Sequence, residues 1–238
     1  MPRDDLVPPE NEIFGWIEQV FSQGIRRPGY PADRWAEQFC LDRFQAFGLE
    51  NVRLEPVDLP YWEPKHASLS VRGAGDGQTL EIACFPLPHW APTAGVEAQL
   101  VPLDLQSPEN VRGSIAMYEL PLTHVPHTAF ADLATWHYDP DATFADSVQI
   151  VPFAMERQQI WQSSIDGGAA AFVGVLTGYP SDSHDYYVPY DAVPQPIPGV
   201  WISGSDGARL RELLAAGTVR ARIEVDTVRE TTTTYNIV

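Results

Sequence analysis

The chain has 238 residues, room for roughly one and a half domains and for a core that needs no covalent staples. Apolar residues make up 44% and charged residues 20%, which sets aside disorder, collagen-like repeats and coiled coil for the bulk of the chain. Acidic residues outnumber basic ones 32 to 15, and the formal charge of −17 repels phosphate backbones and anionic lipid, so neither nucleic acid nor a membrane surface is expected as a partner.

Two amphipathic helices come first. In Glu10–Gln23, Ile13, Trp16, Ile17, Val20 and Phe21 recur at three- and four-residue steps before Gly24. A Pro- and Gly-rich turn through Tyr30 leads into a second helix from about Ala32 to Phe47, striped by Trp35, Ala36, Phe39, Cys40, Phe44 and Phe47 and closed by Gly48. Each stripe requires an apolar surface to cover. From Val52 the period falls to two: Val52/Leu54, Leu69/Val71, Leu80/Ile82, Ile115/Met117 and Val173/Val175 mark short strands, with the prolines expected in the connections. Residues 121–152 show no sustained period and read as a long irregular excursion, with a short helix around Ala129–Thr135.

The second half is clearer. Phe153–Ile165 reads as a helix stopped by Gly167-Gly168, and Ala169–Thr177 as a buried strand with small residues for close packing. A loop over Gly178–Pro196 precedes a strand at Ile197–Ser203, a helix at Asp206–Ala216 capped by Ser205 or Asp206 and ended by Gly217, and a strand at Thr218–Val225. The final TTTTYNIV has strong β propensity and reads as a strand cut as it begins. Cys40 and Cys84 are too few for a disulfide framework or a four-thiolate zinc site and read as buried free thiols. The start shows no secretion-signal pattern, and no apolar run approaches a membrane span, so a cytoplasmic location is expected.

Val111-Arg-Gly-Ser-Ile-Ala-Met-Tyr, Ile165-Asp-Gly-Gly-Ala-Ala-Ala-Phe-Val-Gly and Ile197-Pro-Gly-Val-Trp-Ile-Ser followed by Asp206-Gly-Ala-Arg-Leu resemble, in that order, the strands and turns of a protease-associated domain. Gly24-Ile-Arg-Arg-Pro-Gly-Tyr and the helix ending in Gly48-Leu49 resemble the opening of zinc exopeptidases of the aminopeptidase Y and glutamate carboxypeptidase type. In that family such a domain is inserted between the opening segment and the catalytic domain, whose first strand Tyr235-Asn236-Ile237-Val238 resembles.

The resemblance implies an α+β fold: two N-terminal helices, then a protease-associated β sandwich or barrel flanked by helices. It implies a helical arm over residues 1–56, the inserted domain over 57–228, and the first strand of a truncated catalytic domain over 229–238. It further implies that this chain holds no cofactor, that two zinc ions sit in the absent catalytic domain, and that the chain alone does not hydrolyse peptides. Expected partners are that domain, a peptide substrate and a second copy in a homodimer.

His137 and Asp139 are the nearest match to the family's His-x-Asp metal motif, although Ala-Asp-Leu-Ala-Thr-Trp rather than a Val/Ile strand precedes them. His124 and His127 have metal-like spacing, but Pro126 blocks the helix that would align them. No Gly-x-Ser-x-Gly or phosphate-binding glycine motif is present. His184, Asp185, Tyr186, Tyr187 and Tyr190 combine polar-tipped aromatics with carboxylates on a loop, the composition of a recognition surface for substrate or partner. Three readings stand at this point: the non-catalytic front of a zinc exopeptidase, a stand-alone protein-interaction module of the same fold, and a small metallohydrolase built on His124, His127, His137 and Asp139.

Overall fold

The computed structural model describes residues 7–73, 78–151, 157–178, 181–185 and 193–238. The chain divides into two compact units, one of Met1–Trp62 with Arg229–Val238 and the other of Glu63–Val228. Five helices and ten strands are described: α1 (Glu10–Ser22), α2 (Pro31–Ala46), β1 (Leu54–Gly73), β2 (Thr79–Ile82), β3 (Cys84–Pro86), β4 (Thr93–Pro102), β5 (Ile115–Pro121), β6 (Thr123–Pro126), α3 (His127–Ala131), β7 (Val148–Val151), α4 (Arg157–Asp166), β8 (Ala171–Thr177), β9 (Gly199–Ile202), α5 (Gly204–Ala216) and β10 (Val219–Ile237). The mixed α+β class expected from the sequence is what forms.

Eight strands make one sheet in the order β2-β1-β10-β4-β5-β8-β9-β3. Its two edge strands, β2 and β3, are separated in the chain by Ala83 alone, so the sheet has to curl until its edges nearly meet. A nearly closed barrel results, and closure removes the exposed edges that invite aggregation. β4, β5, β8 and β9 run parallel to one another, while β1/β2, β4/β10 and β3/β9 are antiparallel.

Side chains alternate between two cores. Ile115 and Met117 of β5, Val173 and Val175 of β8, and Val200 and Ile202 of β9 fill the interior with Leu69, Leu100 and alternate residues of β10. Val219, Ala221, Ile223 and Val225 point inward, whereas Arg220 and Arg222 are exposed, a period of two. The intervening Ala116, Leu120, Phe172, Leu176 and Trp201 face a second cluster with Ile160 and Trp161 of α4 and with Trp90. Trp90 meets Trp161 edge-on at 5.5 Å and Phe172 at 5.4 Å. Thus β5, β8 and β9 are buried on both faces, as parallel strands generally are. Gly174 is required there, because a Cβ would overlap the Trp201 ring.

The three sequence segments around these strands are spatial neighbours. Gly113 N–H donates to Gly168 O at 2.8 Å, Ala170 N–H to Ser114 O at 2.8 Å, and Phe172 N–H to Pro198 O at 3.0 Å. Gly168 has φ +83°, and a Cβ on Gly167 would collide with the Pro108 carbonyl.

α5 carries Leu210 into the interior core. Its N-cap is Ser203, two residues before Ser205 and three before Asp206, the caps expected from the sequence, and the Ser203 hydroxyl accepts Asp206 N–H at 3.2 Å. The Asp182 carboxylate also reaches this end, accepting the Ser205 amide at 3.0 Å and the Ser205 hydroxyl. The Ser205 hydroxyl first, and its amide second, hold the Asp182 carboxyl below the usual carboxylate range.

In the other unit, the helices depart from expectation. α1 buries no residue, and Ile13, Ile17 and Phe21 of its stripe are exposed, Phe21 by 82%. α2 buries Ala32 and Glu37, while its aromatic stripe stays half-buried or exposed, Trp35 stacking on Phe39 at 5.0 Å. The reason is a polar attachment on the opposite face. Glu37 accepts Tyr235 N–H at 2.7 Å and the Thr234 hydroxyl; Asp33 accepts Gly29 N–H at 2.8 Å and Thr234 at 3.1 Å. Arg34 donates to Thr232 at 3.0 Å. Arg53 and Val238 exchange both backbone hydrogen bonds.

Further corrections concern strands. TTTTYNIV is no new strand but the end of the continuous β10, which absorbs a bulge between Ile223 and Val225. β1 is likewise one strand and contains Pro56, Pro60 and Pro64. Their spacing of four puts the missing donors on one side, and β2 pairs only with Leu69–Arg72. The expected irregular excursion is framed by an antiparallel ribbon of β6 and β7. Cys40 and Cys84 are free but half-buried rather than buried; burial first, and the Glu81 carboxylate second, push the Cys84 thiol up to about 12. No helix among the described residues is long and apolar enough to cross a membrane.

Glu37→Ala should destabilise its unit by about 2 kcal/mol, because two donors lose a buried acceptor. Urea unfolding followed at the Tyr235 end checks this, and an unchanged midpoint would refute it. The Asp182 contribution, from a lowered folded-state value, is present above the unfolded value of about 3.9 and lost as pH falls through the lower folded value. The stability advantage of the parent over Asp182→Asn should therefore hold constant from neutral pH to about 4 and shrink below it. An advantage still undiminished at pH 2 would refute the pin.

Candidate functional site

Strand polarity selects one end of the barrel. The carboxyl ends of β4, β5 and β8 lie side by side, and between them opens a crevice of about 440 Å³ lined by Pro102, Met117, Pro121, Thr177 and Arg211 of α5. The Arg211 guanidinium pairs with Glu119 at its wall. Parallel sheets commonly bind ligands beyond the carboxyl ends of their strands, where loops rather than ladders define the surface.

Both irregular segments singled out from the sequence leave from this end. The excursion over 122–151 follows β5, and the loop beginning at Gly178 follows β8. Their bases are tied together: Leu122 N–H donates to Thr177 O at 3.0 Å, and His124 Nε2 lies 3.2 Å from Gly178 O. Asp182 then fixes the loop to the start of α5. Beyond it, His184 is half-buried and Asp185 exposed, with Asp185 N–H donating to Ser183 Oγ at 3.1 Å. Tyr186, Tyr187 and Tyr190 lie outside the described residues.

His127 and His137 of the excursion make their contacts within it. His127 Nδ1 sits 2.6 Å from Ser147 Oγ, and the His127 and His137 rings each lie 5.8 Å from Phe144. Asp139 accepts Thr143 N–H at 2.8 Å, the Thr143 hydroxyl at 2.9 Å and Phe144 N–H at 2.9 Å. The Phe144 amide first, then the Thr143 donors and the His137 charge, hold its carboxyl below the usual range against opposing desolvation. Both Asp139 oxygens thus organise a turn. Among the described residues no group of three or more His, Cys, Asp or Glu side chains could hold a metal ion, so they do not fit a zinc centre.

Sequence reasoning located both loops but missed the crevice, whose lining residues carry no motif. The exposed aromatics of the excursion were also missed, although the composition of residues 130–138 contains them.

No family model and no curated protein sequence matches the chain. Solved structures do. The chain is similar to a peptidase M28 precursor from Shewanella amazonensis SB2B, at 20% identity and a TM-score of 0.65 over 93% of this chain and 48% of that one. It is similar to an aminopeptidase from Aneurinibacillus sp. strain AM-1, at 16% identity and a TM-score of 0.58 over 96% and 47%. A zinc aminopeptidase from Bacillus subtilis follows at 14% identity and a TM-score of 0.50 over 90% and 42%. The chain spans about half the length of each of these structures. At these identities the likeness is one of fold: the chain has the fold of a region of M28-type zinc aminopeptidases.

Proposed function

We propose that the chain is the non-catalytic front region of a zinc-dependent exopeptidase of the aminopeptidase type, in which the Glu63–Val228 unit is a protease-associated domain that covers the active site and helps select peptide substrates. The observation that carries the reading is coverage: the likeness extends over 93% of this chain, both units included, yet only 48% of the Shewanella structure. The remaining half would hold the two zinc ions, since the described residues offer no such site. The uncovered apolar side of α1, with a groove of about 320 Å³ between Ile13, Ile17, Phe21 and Arg26, fits a seat for that half. The loop with His184, Asp185, Tyr186, Tyr187 and Tyr190 would face the substrate, and a homodimer would be compatible with this arrangement.

A stand-alone interaction module is favoured by one observation. The Glu63–Val228 unit builds two complete cores from its own residues.

The mass and activity of the natural polypeptide decide between them. The peptidase reading expects a polypeptide about twice the length of this chain that hydrolyses amino-acid p-nitroanilides and loses that activity in chelator, while the 238-residue chain supplied with zinc does not. A natural polypeptide of 238 residues without hydrolysis would overturn it in favour of the module.

A further inference from the structure

The excursion between β6 and β7 presents apolar surface in an unusual concentration. Leu133, Trp136 and Tyr138 are 87%, 77% and 72% exposed, and Phe130 on α3 is exposed beside them in sequence. Trp136 and Tyr138 stack with ring centroids 6.3 Å apart and planes 25° from parallel. Solvent-facing aromatics are common singly; a stacked pair with a leucine three residues before it in the chain is apolar surface whose exposure to water costs free energy.

The segment that follows them in the chain is organised from within. Asp139 ties Thr143 and Phe144 into a turn, Phe144 lies against both His127 and His137, and His127 holds Ser147. The β6/β7 ribbon closes the base. The stacked pair therefore flanks His137 and precedes Asp139, both tied into an internally bonded segment, which lowers the ordering cost a ligand has to meet.

Charge identifies the ligand. Between Arg112 and Arg157 there is no lysine or arginine, while Asp132 and Asp141, within four residues of the Trp136–Tyr138 pair along the chain, are exposed, as is Asp146. An aromatic face surrounded by carboxylates attracts ammonium and guanidinium groups, through the ring quadrupole and through direct ion pairing. It repels acidic segments.

We propose that the exposed face of this excursion, built on Leu133, Trp136 and Tyr138 with Asp132 and Asp141, is a docking surface for a lysine- or arginine-bearing polypeptide segment. The inference does not depend on the peptidase reading, because it rests on residues of the Glu63–Val228 unit alone.

The test uses the 238-residue chain and two fluorescently labelled, end-blocked peptides, one alternating lysine with glycine and one alternating glutamate with glycine, followed by anisotropy at physiological salt. The lysine peptide should bind and the glutamate peptide should not. Trp136→Ala with Tyr138→Ala should weaken lysine-peptide binding about five- to tenfold, the loss of two exposed cation–π contacts. Both side chains are exposed, so this variant should keep its unfolding midpoint, and its net charge is that of the parent. Asp132→Asn with Asp141→Asn should weaken binding further and flatten its salt dependence. Equal binding by the aromatic variant would overturn the proposal, since attraction would then come from the −17 field of the whole chain. Binding of neither peptide would also overturn it, as would a concentration-dependent dimer that the aromatic variant abolishes, which would make a second copy the occupant.

Discussion

Everything in the Glu63–Val228 unit depends on three parallel strands that are covered on both faces. Along most of their length β5, β8 and β9 have no solvent side: Ile115–Met117, Leu120, Ala171–Val173, Val175, Leu176 and Val200–Ile202 all belong to one core or the other. Such strands cannot slip by one residue without exchanging the Val, Ile and Met set of the interior for the Trp, Phe and Leu set outside. Burial of each large side chain contributes about 1.5–3 kcal/mol. That ladder, with Gly174 admitting the Trp201 ring, sets the register for the rest of the barrel.

Two consequences follow for function. The parallel ladder has a direction, and its carboxyl end is where backbone donors and acceptors are no longer satisfied by neighbouring strands. Long segments can leave there without breaking the sheet, and the two that do are tied at their bases by His124, Leu122, Thr177 and Gly178. The rigid part thereby aims the variable part. In the Met1–Trp62 and Arg229–Val238 unit the arrangement is opposite in character. There α2 is held by carboxylates and threonines, Glu37, Asp33 and Thr234, leaving apolar residues of both helices available to water or to a partner.

Much of the barrel was legible in the sequence because its signals are local. Ile115/Met117, Val173/Val175 and the Gly167-Gly168 stop declare their strands and turn by period and by glycine chemistry, and the three motif segments did prove adjacent. The helices were legible as helices, but their orientation was not. An apolar stripe normally predicts the buried face, and α2 instead buries Glu37 against strand residues almost 200 positions away, a pairing with no local signature. The length of β1 was hidden by Pro56, Pro60 and Pro64, which read as breaks unless one side of the strand is known to be free. In the same way, TTTTYNIV read as a new strand because the acidic and basic residues before it masked continuity with Val219. For the candidate site, the loops announced themselves by composition, whereas the crevice depends on which strand ends become neighbours.

Amide hydrogen exchange on the 238-residue chain tests the double burial most directly. The account predicts that the hydrogen-bonded amides of Ile115–Leu120, Ala171–Leu176 and Gly199–Ile202 are the slowest in the unit, exchanging only through its global unfolding, with the excursion over 127–147 exchanging faster. If those ladder amides exchange as fast as the excursion, or if the slowest amides lie in β1 and β2 instead, the claim that the parallel trio holds the barrel together is contradicted.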